Sequence, residues 1–261
     1  VAGTMHVLMF WGFLMLASDM LDLATANYFS GELLPELIVG PWNGMVELGY
    51  TMALIGCVAA LVRRVAFTPE KLKGKSQLEG NAILLLIFTI TTTSFMIESK
   101  EDPSPFWEPI GHQFSELGLS DGTVVVSYWL HMLAISVFLF LIPLSKHMHL
   151  VMAVPNVFFH DTGPAAKMRP LALGDDGKAV PLEDLDIDSF GVSSYTQFTW
   201  RQLIDGWSCT SCARCQDVCP AYASGKGLNP MQVIHDVRDY ANEHAPLLLS
   251  GETPEETMMQ R

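Results

Sequence analysis

The sequence predicts an all-α chain in two parts: a transmembrane helical bundle, then a smaller α-helical domain built around four cysteines. Three observations predict it. Hydrophobic residues make up 49% of the chain and charged residues 16%, a balance too apolar for an ordinary soluble domain. The apolar residues gather before residue 152 in four stretches long enough to cross a bilayer, whereas Asp and Glu crowd the later part. Four of the five cysteines stand in one short run near the end.

The four stretches run from Met5 to Phe29, Gly44 to Val62, Asn81 to Ile97 and Thr123 to Leu144. The first lacks the basic leader of a signal peptide and is too long for one. The third carries Thr89, Thr91, Thr92 and Thr93, whose hydroxyls can bond carbonyls of the preceding turn and leave the helix intact. Arg63, Arg64, Lys71, Lys73 and Lys75 lie between the second and third stretches. The connection before them has Glu32 and Glu36 but no Lys or Arg, and the one after the third is acidic apart from Lys100. The positive-inside rule then places Val1, the 63–75 loop and everything after Lys146 in the cytoplasm, predicting a multi-pass protein of the inner membrane. The net charge of −13 argues against a nucleic-acid partner. Thiols without paired cysteines elsewhere point to a reducing compartment.

Residues 152–194 read as a cytoplasmic linker, rich in Pro, Gly and Asp and without hydrophobic period. From 195 the pattern is helix, loop, helix: Tyr195 to Gly206, the cysteines, then Asn229 to His244 with Pro230 suited to its first turn. The loop reads WSCTSCARCQDVCP, so Cys209, Cys212, Cys215, Cys219 and Pro220 form one copy of the bacterial ferredoxin run that wraps a four-iron (4Fe-4S) cluster. Residues 195–261 are therefore predicted to form a ferredoxin-type iron–sulfur domain. In two-cluster ferredoxins the fourth cysteine of one run ligates the other cluster, yet no second run follows before Arg261. The missing ligand is expected from another chain or from a longer polypeptide. A start at Val1 favours a fragment, with the domain incomplete.

Histidines add a second candidate centre. His131 and His149 stand about five helical turns apart, so one continuous helix would project both from one face, about 27 Å apart, with a kink at Pro143 between them. His6, at the cytoplasmic end of the first span, is level with His149. Two imidazoles at matched depth on neighbouring helices can clamp one b-type haem. The plainer alternatives are an interfacial role for His149 beside Lys146 and His147, and for His131 a polar contact inside the bundle.

The run HMLAISVFLFLIPLSKHMHL, with HVLMFWGFL at the chain start, resembles the cytochrome b-type gamma subunit of respiratory nitrate reductase. Closer still are its relatives fused to heterodisulfide-reductase-like iron–sulfur proteins. The resemblance implies a cytochrome b-like transmembrane domain over 1–151, with His131 and His149 matching the haem ligands of the last span and His6 the ligand that begins the second. The remaining ligand position falls near Leu16, which cannot bind iron. This implies one haem on the inner side, held by His6 and His149, and leaves His131 without its usual partner. The family's first span, before His6, has no counterpart here. The stretch CTSCARCQDVCPAYASGKGLNP is similar to membrane-anchored iron–sulfur oxidoreductases that serve electron-transfer flavoprotein and menaquinone. That likeness implies an electron-transfer flavoprotein or another cytoplasmic redox protein as partner, and further iron–sulfur and CCG domains in the same or another chain.

Asp19, Asp22, Glu47 and Glu98 map with His131 to the outer halves of their spans, where carboxyls are costly unless neutral or paired. They are candidates for an outer-side quinone pocket or proton path. Otherwise Glu47 and Glu98 sit at the interface, and the aspartates bond neighbouring helices. Arg63 and Arg64 are candidates to pair with haem propionates, or simply anchors of the inner edge. Cys57 reads as a packing residue, His112 lies in the outer loop, and His160, His235 and His244 show no ligand spacing. The functional expectation is a quinone-linked iron–sulfur oxidoreductase subunit carrying electrons between a cytoplasmic donor and membrane quinone. The alternatives are a quinol-oxidising subunit of a heterodisulfide- or nitrate-type reductase, and a haem-free membrane anchor for an iron–sulfur partner.

Overall fold

Small residues decide how the first two helices meet. In the computed structural model, which describes residues 2–29, 36–67, 75–160, 182–184 and 195–250, α1 (Ala2–Phe29) lies directly against α2 (Glu36–Ala66). A Cβ on Gly12 would stand 2.8 Å from the Gly49 carbonyl oxygen, and one on Gly49 would stand 2.8 Å from Met15 Cβ. Gly49, Ala53 and Gly56 follow one another along a single face of α2, and a Cβ on Gly56 would sit 2.9 Å from Met9 Cγ. Lipid tails are as apolar as leucine, so close backbone approach through small residues is what holds such a pair together.

α3 (Lys75–Glu98) packs on a neighbouring face of α2, through Tyr50, Cys57 and Arg64. The buried thiol of Cys57 donates to the Leu84 carbonyl at 2.9 Å, so this cysteine does more than fill space. Phe95, 1% exposed, joins three elements: its ring meets Tyr50 of α2 at 5.8 Å and Phe114 of α4 (Pro109–Glu116) at 5.6 Å. The threonines behave as their chemistry predicts. Thr89, Thr91 and Thr93 donate to the carbonyls of Leu85, Ile87 and Thr89 at 2.8, 2.9 and 2.7 Å, which satisfies each hydroxyl within its own helix.

α5 (Asp121–Leu144) is the most apolar of the long helices and exposes most of its surface. Its inward stripe is Ser127, His131, Ala134 and Phe138, spaced as one helix face. The Phe138 ring stacks on Phe13 of α1 at 6.0 Å. Ile38–Ala66, Gln77–Glu98 and Asp121–Leu144 are each long and apolar enough to cross a membrane, and α1 carries the shorter apolar segment Gly3–Ser18. Among the described residues there is no strand, so the predicted all-α helical bundle stands.

The chain divides into two units, Val1–Leu141 and Ile142–Arg261. In the second, Ser145 adopts an extended backbone and its hydroxyl accepts from the His147 N–H at 3.2 Å, opening a short 3₁₀ turn that leads into α6 (His149–Phe158). α6 packs on α7 (Trp200–Ser208), where Asn156 Nδ2 donates to Asp205 Oδ1 at 2.7 Å. The linker expected from 152 therefore opens in helix rather than in irregular chain, and most of its remainder lies outside the described residues. α8 (Arg214–Asp217), α9 (Pro220–Ala223) and α10 (Pro230–Ser250) complete the unit, with α10 packed on α7 and α8.

Candidate functional site

The cysteine loop is framed by helix caps. Thr199 opens α7 with a capping box, its hydroxyl accepting from the Gln202 N–H at 3.3 Å while Gln202 Oε1 accepts from the Thr199 N–H at 2.9 Å. Cys209 ends α7 in extended conformation. Two non-glycine residues then take left-handed backbone, Ser211 with φ 55° and Ala213 with φ 60°. Each costs roughly 1–2 kcal/mol in an L-residue. Two interactions hold them: Ala213 is buried, and Ser211 Oγ lies 3.0 Å from His235 Nε2 of α10. Pro220, the first residue of α9, forces Cys219 out of helical backbone, to φ −75° and ψ 117°. The trailing proline of the motif is thus a hinge between the last thiol and α9. Asn229 fixes the other edge, its side-chain oxygen accepting from the N–H groups of Met231 at 3.1 Å and Gln232 at 3.2 Å.

All four loop cysteines are free thiols, Cys212 and Cys215 exposed and Cys209 and Cys219 partly so. Among the described residues, no three His, Cys, Asp or Glu side chains converge into a metal-holding group. The donor set nonetheless fits an iron–sulfur cluster: four thiols on one loop, with two left-handed turns between the first and third.

The histidines fall in different settings. His131 of α5 is half-buried, with Nδ1 3.0 Å from Thr93 Oγ1 and 3.2 Å from the Ile90 carbonyl oxygen. The Thr93 hydroxyl donates to its own helix, so it accepts from His131, which puts the proton on Nδ1 and a lone pair on Nε2. His149 opens α6, its Nδ1 2.6 Å from the Lys146 carbonyl oxygen, which in the neutral ring leaves Nε2 as the lone-pair nitrogen. That is the tautomer an iron ligand requires. The two do not share one helix, because α5 ends at Leu144 and α6 begins at His149. The expected register of five continuous turns is broken at Ser145. His6 is exposed on α1. His112 lies 3.8 Å from Glu116, His160 3.1 Å from Arg201, and His244 stacks on Tyr240 at 4.2 Å.

Of the carboxyls expected at the outer side, Glu47 has a defined job. It is buried on α2 and grips the start of α4, with Oε1 accepting from the Ile110 N–H at 2.9 Å and Oε2 from the Gly111 N–H at 2.8 Å. Glu108, the local cap position of α4, makes no side-chain cap bond, so Glu47 supplies the anion that the helix start attracts. Glu98 closes α3 and is partly exposed. The side chains of Asp19 and Asp22 lie outside the described residues. Arg63 and Arg64 end α2, and the Arg64 guanidinium lies where a Cβ on the buried Gly80 of α3 would go.

No family model matches the chain, and no solved structure matches it. Among curated proteins, the chain is 29% identical to the "EtfAB:quinone oxidoreductase" of Syntrophomonas wolfei, over 96% of this chain and 36% of that protein. It is 27% identical to the "Probable iron-sulfur-binding oxidoreductase FadF" of Bacillus subtilis, over 95% of this chain and 36% of that one. A "Probable membrane-anchored ferredoxin" of Chromohalobacter salexigens is 40% identical over 24% of the chain. The chain is thus similar to proteins named as iron–sulfur oxidoreductases and as a membrane-anchored ferredoxin. It spans about a third of the length of the first two relatives.

The residue near the cysteine loop that no sequence signal announces is His235. Its Nε2 reaches Ser211 and also lies 3.7 Å from Cys209 Sγ. Burial first, and then the Arg238 guanidinium, hold its imidazole below the usual range and favour the neutral ring. Nothing local announces this contact, because it depends on how α10 packs over the loop.

Proposed function

We propose that this chain is the membrane electron-transfer part of a quinone-linked iron–sulfur oxidoreductase, working between a cytoplasmic donor of the electron-transfer flavoprotein kind and membrane menaquinone. The observation that carries the reading is the cysteine loop, framed by the capped helices α7 and α10, in a chain whose described residues include three helices fit to cross a membrane. The name of the Syntrophomonas relative supports quinone and flavoprotein as the two ends of the path.

Cys209, Cys212 and Cys215 would hold a 4Fe-4S cluster, with Cys219 or a thiol from elsewhere as the fourth ligand. His6 and His149 would hold a b-type haem at the inner side, and Arg63 and Arg64 would pair with its propionates. Such centres, when bound, pass single electrons, which the protein alone cannot do. The chain's own contribution is positional. In its Nε2–H tautomer His235 donates to Ser211 Oγ and to the Cys209 sulfur, holding the strained turn and stabilising negative charge on that sulfur. Exposed Cys212 and Cys215, with Val218 80% exposed between Cys215 and Cys219, offer a partner an open approach. His131 keeps a lone pair inside the bundle, and with Glu98, Asp19 and Asp22 it would serve a proton path to quinone on the outer side. Glu47 shares their expected depth, but its two backbone bonds give it a structural task.

The test uses the full-length gene product in liposomes containing menaquinone, supplied with reduced electron-transfer flavoprotein. Quinone reduction is expected, with Cys212→Ser and Cys215→Ser losing both bound iron and turnover. Unchanged iron content and turnover in both variants would overturn the assignment.

A further inference from the structure

α6 carries an apolar stripe that no protein element covers among the described residues. Leu150, Val151, Val154, Val157 and Phe158 follow the spacing of one helical face, and Val154, Val157 and Phe158 are 70%, 74% and 79% exposed. The opposite face is engaged, since Met152, Ala153 and Asn156 are partly buried where α6 packs on α7. The helix, HLVMAVPNVF, contains no Asp, Glu, Lys or Arg. A soluble surface helix would place charge on its outer face, and this one places valine and phenylalanine there.

We propose that α6 is an interfacial helix, seated in the headgroup–acyl boundary of the bilayer with its Leu150–Phe158 stripe turned into lipid. Chain continuity selects lipid as the occupant. α5 is long and apolar enough to cross a membrane and ends at Leu144, itself 68% exposed. The connection over 145–148 can extend at most roughly 18 Å. α6 must therefore begin within headgroup reach of a spanning helix's end. Ser145 turns the backbone out of the α5 direction, and Lys146 stands at the break, where a cation suits lipid phosphates. At the far end Phe159 and Trp200, both more than half exposed, pack edge to face at 5.2 Å, as aromatics of a membrane boundary do. Because α6 packs on α7, and Cys209 directly follows α7, a seated α6 would hold the cysteine loop at a fixed height over the membrane. The inference rests on the membrane assignment of α5 and is independent of the electron-transfer reading.

The full-length protein in phosphatidylcholine nanodiscs would carry a nitroxide on p-acetylphenylalanine placed at Val151, Val154 or Phe158, with Gln232 on α10 as the aqueous control. Power-saturation EPR should show oxygen access exceeding nickel-chelate access at the three α6 positions and the reverse at Gln232. Nickel access at Val154 and Phe158 equal to that at Gln232 would put the face in water. Shielding from both reagents would mean a protein cover, from this chain or a second copy. Either result overturns the proposal. An independent readout leaves α6 unaltered: shallow brominated lipids should quench the protein's tryptophan emission, and Trp200→Phe should remove part of the quenched component. Quenching unchanged by Trp200→Phe also counts against it.

Discussion

Glu47 Oε2 accepts the Gly111 N–H at 2.8 Å, tying the middle of α2 to the first turn of α4 across 64 positions of sequence. With the Oε1 bond to Ile110, it turns a buried carboxylate, costly in isolation, into the cap of a helix that lacks a local one. Glu47→Ala should destabilise the bundle by about 2–3 kcal/mol, since bonds to a charged group are lost and two N–H groups are left bare. Glu47→Gln, which keeps one acceptor, should cost about half as much. Thermal unfolding in detergent measures both. Quinone turnover per folded molecule should be unchanged in Glu47→Gln, and a loss there would return Glu47 to the proton path.

The α1–α2 contact makes a sharper steric prediction. A side chain on Gly49 meets Met15 at once, whereas around Gly3 nothing lies within 4 Å. Gly49→Leu should cost about 1–3 kcal/mol by overpacking. Gly3→Ala, in the same helix pair, should change stability by about 0.5 kcal/mol or less. Equal effects at the two sites, in unfolding titrations, would contradict the close crossing.

His235 should tune the cluster without being a ligand. His235→Ala removes a donor near the Cys209 sulfur and releases the left-handed Ser211, so the cluster's reduction potential should fall by roughly tens of millivolts with iron content retained. His235→Gln, which keeps a donor, should recover part of the shift. Potentiometric titration followed by EPR reads this directly, and an unmoved potential in His235→Ala would remove His235 from the site.

What the sequence makes legible is local. Apolar length sets the spans, so the stretch read to Leu144 ends where α5 ends, and the third stretch survives its threonines because each bonds a carbonyl one turn back. The cysteine run with its proline is equally local, since Pro220 constrains only Cys219 beside it. Contacts across long separations carry no such signal. The partners of Glu47, of His131 on α3 and of His235 on the loop follow from packing, and no spacing rule reaches them. The break at Ser145 is hidden in the sequence for a different reason. Pro143 pointed to a kink, but Pro143 stays within α5, and the helix stops two residues later where Ser145 takes extended backbone and accepts from His147. The start of the 152–194 stretch is helical because α6 runs on through Pro155, whereas the recurrent Pro, Gly and Asp of the whole stretch suggest irregular chain.

The proposed electron path joins the cysteine loop to a haem that His6 and His149 would hold. The most direct measurement is a reduced-minus-oxidised absorption spectrum of the full-length protein purified from membranes. The account predicts the sharp α-band of a b-type haem, lost in His6→Ala and His149→Ala and retained in His131→Ala. A spectrum without that band, or a band indifferent to His6→Ala and His149→Ala, would contradict it and leave a membrane tether for an iron–sulfur domain.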